Sequence, residues 1–151
     1  MAPGREIGPW FARWRARSRM DKKVLVADVP EVKARMAAVL THERPVFVHT
    51  LAAALKALAA EDFALLLIGM HFDDSRMFDL LREVRAGSRN RAVPVVCYRM
   101  RPLAFTALST NVIEVTVKAL GAGAFADLTS YAEDEGNQAL ARLVAVATGS
   151  G

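Results

Sequence analysis

The 151-residue chain has almost no cysteine: Cys97 is the only one, and it stands within the apolar run 93–97. A single cysteine excludes a disulfide framework, so we expect the protein to work in a reducing, cytoplasmic setting. A lone cysteine in an apolar run is typical of a small buried hydrophobic residue. We therefore predict that Cys97 is buried.

Long apolar segments are missing as well. The longest apolar run, 63–70, is far shorter than the roughly 18–20 residues that a membrane-spanning helix needs. The amino terminus carries charge, glycine and proline and lacks the layout of a secretory signal. A membrane is therefore not an expected partner.

Motifs for catalysis and metal binding are also lacking. His42, His49 and His71 are far apart and have no cysteine or carboxylate at ligand spacing, so a zinc site is not expected. The glycines of 121–123 precede a predicted strand, whereas the glycine-rich loop of a nucleotide-binding fold follows one. No nucleophile elbow is present. We expect no cofactor, no metal and no enzymatic activity.

The positive charge is concentrated at the start of the chain. The chain has 20 basic and 16 acidic side chains. Residues 1–23 hold seven of the basic and two of the acidic ones, so the rest of the chain has 13 basic and 14 acidic side chains. The domain that follows is thus nearly neutral, and nucleic acid is not an expected partner for it.

This basic segment contains three aromatic residues, Trp10, Phe11 and Trp14, which are interleaved with four arginines. Residues 9–20 are predicted to form a short helix with both tryptophans on one face. Tryptophans frequently anchor protein interfaces, so docking on a protein partner or on a second copy of the chain is our first interpretation. Three alternatives stay open: binding to an acidic membrane surface, contact with nucleic acid, and a stretch 1–19 that is not native.

From residue 22 onward, strand and helix patterns alternate, and parallel strands joined by helices form a doubly wound open sheet. We place one domain at 22–147, an irregular or partly helical extension at 1–21 and a frayed tail at 148–151. Apolar runs predict strands at 23–27, 45–49, 63–70, 93–98 and 124–128, and helical spacing predicts helices at 30–40, 51–60, 75–85, 105–120 and 137–146.

Three stretches of this pattern carry a family resemblance. Residues 24–32 pair a first strand with an acidic turn and a helix, 63–85 hold a buried strand and the helix after it, and 93–124 hold a fourth strand and the approach to a fifth. Together they resemble the CheY-like receiver domain of response regulators, over residues 22 to about 147. The resemblance implies a flavodoxin-like α/β fold with strand order 2-1-3-4-5 and about five helices, and a role in two-component signal transduction.

The resemblance also implies a phosphorylation site, of which this chain keeps little. In receivers an acidic pair holds Mg²⁺, an aspartate ending the third strand accepts the phosphoryl group, and a threonine or serine and a lysine contact it. In this chain Asp28 matches one member of the acidic pair and has no second acidic neighbour. Gly69 matches the acceptor aspartate, Arg99 the threonine or serine, and Ser130 the lysine. Without a nucleophile the chemistry should not run, so we predict a degenerate pseudo-receiver with a vestigial pocket.

Two further aspartates, Asp73 and Asp74, follow the third strand. We predict that one of them caps the helix beginning near Ser75, since carboxylates favour helix amino termini. The alternative is a displaced phosphoacceptor, which their position beyond the usual site disfavours.

Arg99 and Asp127 form a candidate switch pair. The resemblance implies that they occupy the positions of the residues after the fourth strand and in the fifth strand that move together on activation. A guanidinium and a carboxylate can pair through two hydrogen bonds, which would hold this face in one state. The alternative is that Arg99 points to solvent.

The stretch between Arg99 and Ser130 is longer than is usual for receivers, which predicts an extra loop at 100–104. Receivers commonly bind partners near the fourth helix, fifth strand and fifth helix, so this insertion indicates a specialised interface or a tolerated surface loop. We predict a phosphorylation-independent regulatory or scaffolding module that binds a protein partner or forms a homodimer. The alternative is a sensor of a small anion or nucleotide at the carboxyl ends of the strands, where Gly69 and Arg99 would leave a hollow.

Overall fold

The computed structural model describes residues 22–100 and 110–149, which form one parallel sheet with helices on both faces. Two stretches lie outside the described residues: 1–21, with Trp10, Phe11 and Trp14, and 101–109, which includes most of the predicted extra loop and the predicted start of the fourth helix. The strands are β1 Lys23–Ala27, β2 Arg44–Val48, β3 Leu65–Gly69, β4 Val95–Arg99 and β5 Ala124–Asp127, and the helices are α1 Lys33–Val39, α2 Leu51–Ala60, α3 Met77–Ala86, α4 Thr110–Ala119 and α5 Glu133–Ala147.

All five strands are parallel, and their order across the sheet is β2-β1-β3-β4-β5. The predicted flavodoxin-like α/β fold is therefore confirmed. Strands β2 and β5 form the two edges, and β1, β3 and β4 are covered on both faces, which explains their nearly continuous apolar sequences. The carboxyl ends of all strands meet at one edge of the sheet, where the candidate site lies.

Alternate residues of each strand face two separate cores, because side chains along a strand point to opposite faces. In β1, Leu25 and Ala27 pack into the core beneath α2, α3 and α4. Val24 and Val26 pack into the core beneath α1 and α5. Each fully buried leucine or valine stabilises the fold by about 1.5–3 kcal/mol relative to an exposed one. Cys97 lies in the first core, as predicted, and its burial raises the thiol pKa to about 12.

The apolar run 63–70 gives a shorter strand than predicted. Its first residue, Phe63, donates its backbone N–H to the Asn90 side chain (2.9 Å) and so belongs to a loop. Strand pairing with β1 begins only at Leu65. The bounds of β1, β2, β4, β5 and α2 lie within two residues of their predicted positions, and a 3₁₀ turn at Pro30–Val32 precedes α1.

Helix α3 begins at Met77 and not near Ser75. Asp73, Asp74 and Ser75 have positive φ angles of 42°, 54° and 69°, in the left-handed region that a right-handed helix excludes. The residue before the helix, Arg76, makes no side-chain capping bond. The prediction that Asp73 or Asp74 caps this helix is therefore wrong.

Asp73 caps a different helix. Its Oδ2 accepts a hydrogen bond from the backbone N–H of Leu51, the first residue of α2, at 2.7 Å. Thr50 Oγ1 accepts from the N–H of Ala53 at 3.1 Å, so α2 has two capping side chains. Capping satisfies backbone donors that the first turn of a helix leaves without partners. The loop after β3 is thus tied to the start of α2.

Helix α5 begins at Glu133, four residues before the predicted Asn137. Gly136 lies inside its first turn, and glycine weakens a helical pattern, which is why the sequence suggested a later start. At the other end, the N–H of Thr148 donates to the carbonyl of Val144 at 2.9 Å, so Thr148 closes the last turn. Among the residues that the structure describes, no helix is long and apolar enough to span a bilayer.

Candidate vestigial receiver site

The residues singled out in the sequence lie at the carboxyl edge of the sheet, where they form two groups. Asp28 follows β1 and Gly69 ends β3, and these two residues are in contact. Arg99 ends β4 and Asp127 ends β5, and their side chains form an ion pair. Ser130 is exposed in the turn after β5.

Asp28 fills the space where a side chain at position 69 would begin. Asp28 as a whole is only 4% exposed. A Cβ placed on Gly69 would lie 2.6 Å from Asp28 Oδ1 and closer still to Oδ2, far inside van der Waals contact. Position 69, where the receiver resemblance places the phosphoacceptor, therefore has no side chain, and a second carboxylate has no room there.

Both carboxylate oxygens of Asp28 accept hydrogen bonds. The Tyr98 hydroxyl donates to Oδ2 at 2.7 Å, and the backbone N–H of Val29 donates to Oδ1 at 2.7 Å. Burying a carboxylate is costly unless donors satisfy it, and Tyr98 supplies one from the opposite side of β3. Burial, followed by the charge of Asp28, raises the pKa of Tyr98 well above its ordinary value. The phenol therefore stays a neutral donor at neutral pH.

Tyr98 is the functional residue that the sequence reasoning missed. Ala27 pairs with Ile68, and Gly69 pairs with Tyr98, so Asp28, Gly69 and Tyr98 stand in one row across three strands. The outer two strands are about 9.6 Å apart, twice the spacing of neighbouring strands. A tyrosine can reach an aspartate over that distance only if the residue between them has no side chain. The register of the strands is the signal that identifies Tyr98.

The second group is a network centred on Asp127. Arg99 Nη2 lies 2.6 Å from Asp127 Oδ2, and the two side chains are only 12% and 18% exposed, which excludes the alternative of a solvent-directed arginine. Thr110 Oγ1 donates to Oδ2, while Thr129 donates to Oδ1 from its hydroxyl at 2.6 Å and from its N–H at 3.1 Å. Arg99 Nη2 also donates to Thr110 Oγ1 at 3.0 Å.

This network keeps Asp127 ionised and joins four parts of the fold. Burial opposes the charge, but the hydrogen bonds from Arg99, Thr110 and Thr129 outweigh it and hold the pKa of Asp127 well below its usual range. The ends of β4 and β5, the first residue of α4 and the turn after β5 are thereby connected. The role of Arg99 and Asp127 as a switch pair stays a prediction.

The anion-accepting hollow expected from Gly69 and Arg99 is not formed by the described residues. Asp28 covers Gly69, and Arg99 is directed at Asp127. A neighbouring cavity of about 250 Å³ is lined instead by three carboxylates together with one arginine, one histidine and apolar side chains; its lining comprises Asp28, Val29, Glu31, Val32, Arg35, Met70, His71, Met100 and Glu133.

The residues present do not fit the Mg²⁺ ion that the receiver resemblance implies. Mg²⁺ prefers near-octahedral oxygen ligands, usually including more than one source of oxygen. Asp28 is the only carboxylate at the vestigial position, and both of its oxygens already accept hydrogen bonds from Tyr98 and Val29. Within 22–100 and 110–149, no three acidic, histidine or cysteine side chains are grouped so as to hold a metal ion.

No family model and no curated protein matches the chain in sequence. Its fold is similar to solved response regulators. A response regulator from Hahella chejuensis is 21% identical with a TM-score of 0.69, over 83% of this chain and 94% of that chain. The phosphorylated cyanobacterial phytochrome response regulator RcpA is 13% identical with a TM-score of 0.68, over 86% and 96%.

A third structure is similar over nearly its whole length. The receiver domain of a sensor histidine kinase from Pseudomonas aeruginosa, described with magnesium in its active-site cleft, is 19% identical with a TM-score of 0.61, over 85% of this chain and 98% of that chain. At such low identity, this similarity concerns the fold alone. The chain therefore has the fold of CheY-like receiver domains of response regulators.

Proposed function

We propose that this chain is a cytoplasmic signalling module with a receiver fold, which acts by binding a protein and does not accept a phosphoryl group. The observation that carries the proposal is the hydrogen bond between Asp28 and Tyr98, which passes directly over Gly69. This bond occupies the place where a phosphoacceptor would stand.

The chemistry of phosphoryl transfer supports this proposal. Transfer needs an in-line nucleophile and positive groups that neutralise the charge on the phosphoryl oxygens. Position 69 has no side chain, and the guanidinium of Arg99 is already paired with Asp127. Ser130 stands where the resemblance places a lysine, so that positive group is lacking as well.

Exposed apolar side chains around β5 support a protein partner. Val112 and Val115 lie on α4, Tyr131 lies between β5 and α5, and Val146 lies near the end of α5; we call these four residues the β5-edge surface. They are 45%, 60%, 48% and 74% exposed. Strand β5 is also an edge strand of the sheet. Exposed apolar side chains on the elements that flank an edge strand suit a protein-binding surface.

The Asp127 network supports a partner site of fixed shape. Thr110 is the first residue of α4, and it is bonded to Asp127 at the end of β5. Receivers shift this region when they are phosphorylated. Here the partly buried ion pair of Arg99 with Asp127, together with four hydrogen bonds that involve Thr110 and Thr129, holds α4 and the turn after β5 against the end of β5. We infer that the β5-edge surface is presented constitutively.

Treatment with acetyl phosphate, or with beryllofluoride and Mg²⁺, tests the loss of phosphorylation. We expect no change in intact mass and no shift of amide resonances at the carboxyl edge of the sheet. A conventional receiver treated in parallel serves as the positive control. An acyl phosphate on Asp28, Asp73 or Asp74 would overturn the proposal.

Replacing Val115 with glutamate tests the partner surface. The substitution places a charge on the β5-edge surface, so we expect it to abolish a homodimer in sedimentation equilibrium or the recovery of a purified partner in a pull-down. Ala52→Glu, which adds the same charge at an exposed position of α2, is the control on another surface. Equal binding by the Val115 variant and the unmodified chain would exclude this surface.

A small-ligand sensor is the second candidate, because open α/β sheets bind ligands at the carboxyl ends of their strands and a cavity of about 250 Å³ is present there. A thermal-shift screen with nucleotides, phosphorylated metabolites and organic amines separates the two functions. A saturable rise in melting temperature with one of these ligands would favour the sensor. A melting temperature unchanged by every ligand, together with a stable dimer or complex, would favour the binding module.

A further inference from the structure

We infer that the basic, aromatic segment 9–20 docks into a groove between α2 and α3 of its own domain. The groove has a volume of about 320 Å³ and lies where both helices end, at the amino edge of the sheet; we call it the amino-edge groove. Its main lining residues are Leu55, Leu58 and Ala59 of α2, Glu83 and Val84 of α3, and Arg89.

The floor of the amino-edge groove is apolar and firmly held. Leu58 and Val84 belong to the core beneath α2, α3 and α4. Asn90 fixes the loop after α3 against the end of α2: its Nδ2 donates to the carbonyls of Leu58 and Glu61 at 2.7 and 2.6 Å. Position 87, on the groove wall, is a glycine, which leaves room beside Val84. A flat apolar groove that does not need to reorganise suits an aromatic ring.

The electrostatics of this edge favour an arginine-rich occupant. Helices α2 and α3 both end here, and each helix carboxyl terminus carries about half a negative charge. Arginines already bind backbone carbonyls in this region: Arg85 Nη2 donates to the carbonyl of Gly121 at 2.7 Å, and Arg89 Nη1 to that of Ala59. The carboxylate of Glu83 lies on the rim, and the charge of Arg89, the cation in the lining, is paired with Asp62 at 2.9 Å. The segment supplies four arginines beside its aromatic residues.

The tether between the segment and the groove is short. The ammonium group of Lys23 pairs with the carboxylate of Glu61, the residue that ends α2 two positions after Ala59. Trp14 precedes Lys23 by nine residues, which span about 30 Å when extended and about 14 Å when helical. Either length reaches the groove, and a short tether gives a high effective concentration.

The hollow beside β5 is a less suitable seat. It is lined by Arg142 and by the carboxylate of Asp127, whose charge is already paired with Arg99, so an unpaired positive charge faces a basic segment there. Strands β3 and β4 also separate β5 from β1, where the segment joins the domain. Charge and distance therefore both favour the amino-edge groove.

Tryptophan fluorescence tests the inference directly, because Trp10 and Trp14 are the only tryptophans in the chain. In the full chain we expect blue-shifted emission and protection from acrylamide, relative to a synthetic peptide of residues 1–21. Ala59→Arg fills the groove and should return emission and quenching to the values of the peptide. Ala52→Arg, at an exposed alanine near the start of the same helix, should leave the protection intact.

A second variant and a dilution series complete the experiment. Glu83→Lys removes the carboxylate from the rim and should also reduce the protection, with far-ultraviolet circular dichroism confirming that each variant is folded. Full-chain emission equal to that of the peptide would overturn the inference, as would identical effects of Ala59→Arg and Ala52→Arg. Protection that is lost on dilution would show docking on a second copy and would overturn docking within one chain.

Discussion

Gly69 is the residue on which the geometry of the candidate site depends. It lies between Asp28 and Tyr98 in one row across the sheet, and its lack of a side chain lets their hydrogen bond form. A buried carboxylate that is satisfied from two strands away couples three strands through side chains, in addition to their backbone hydrogen bonds. Substitutions in this row should therefore lower the free energy of unfolding by more than the change in side-chain size suggests.

We expect Gly69→Ala to lower the free energy of unfolding by about 1–3 kcal/mol, the usual cost of overpacking a core. The added methyl group would overlap the Asp28 carboxylate and force it away from Tyr98. Urea denaturation measures the loss. Gly123→Ala is the control, because a Cβ there meets only the carbonyl of Val95 at 3.6 Å. Equal stability of the two variants would show that Asp28 does not fill the space above Gly69.

We expect Tyr98→Phe to lower the free energy of unfolding by about 1.5–3 kcal/mol, since a hydrogen bond to a charged group is removed and the carboxylate stays buried. Tyr131→Phe, at an exposed tyrosine, should change it by less than about 0.5 kcal/mol. A Tyr98 variant as stable as the unmodified chain would contradict the bond.

The same variant has a defined pH dependence. Folding raises the pKa of Tyr98, so the folded state holds its proton more tightly than the unfolded state does. The contribution of Tyr98 to the free energy of unfolding is complete below the pKa of about 10 in the unfolded state, and it is lost as the pH rises towards the pKa in the folded state. The difference in unfolding free energy between the unmodified chain and Tyr98→Phe should therefore shrink above about pH 10.

At the scale of elements, the loop after β3 acts on the helix before that strand. Asp73 lies within a run of three left-handed residues and caps α2, while α3 begins only at Met77. This arrangement joins the β3–α3 loop to the β2–α2 connection along the carboxyl edge. The order of elements in the chain does not reveal such a contact.

We expect Asp73→Ala to lower the free energy of unfolding by about 1 kcal/mol, the usual value of an amino-terminal cap. Asp74→Ala is the matched control, because both residues have positive φ angles of similar size, so the strain of placing alanine there largely cancels. Amide hydrogen exchange should be faster in the first turn of α2 for the Asp73 variant alone. Equal exchange in both variants would contradict the cap.

At the scale of the whole molecule, the sequence predicted the fold well because the fold depends on periodic patterns. Apolar runs of strand length that alternate with helical spacing suffice to predict five parallel strands, and the receiver resemblance supplied their order. Helix boundaries failed where single residues opposed the pattern: Gly136 hid the start of α5, and the left-handed run at 73–75 delayed α3. The receiver resemblance identified the positions of the site.

The geometry of the site was only partly predictable. The pairing of Arg99 with Asp127 was expected from the receiver resemblance, and the structure places the two side chains in contact. The bond between Asp28 and Tyr98 depends on the register of three strands, which a single sequence does not determine. The contributions of Thr110 and Thr129 depend on how α4 and the turn after β5 pack, so they also lay beyond the sequence pattern.

Acid stability should report the Asp127 network for the molecule as a whole. Folding lowers the pKa of Asp127. The ionised carboxylate therefore stabilises the fold above the unfolded-state pKa of about 3.9, and this stabilisation is lost as the pH falls towards the folded-state pKa. Asp127→Asn should therefore be less stable than the unmodified chain at neutral pH, and this difference should shrink below about pH 4.

Acid titration of both proteins, followed by circular dichroism in urea, measures this difference. Arg82→Gln, which removes the exposed ion pair with Asp79, is the control and should change stability little. A constant difference between the unmodified chain and the Asp127 variant down to pH 2 would show that the carboxylate is not held ionised by its neighbours.

The row of Asp28, Gly69 and Tyr98 also limits how a carboxylate could be introduced at the end of β3. An aspartate at position 69 would enter a space already occupied by the Asp28 carboxylate, so this single substitution would destabilise the domain. Any side chain at position 69 would need a compensating replacement of Asp28 on the neighbouring strand.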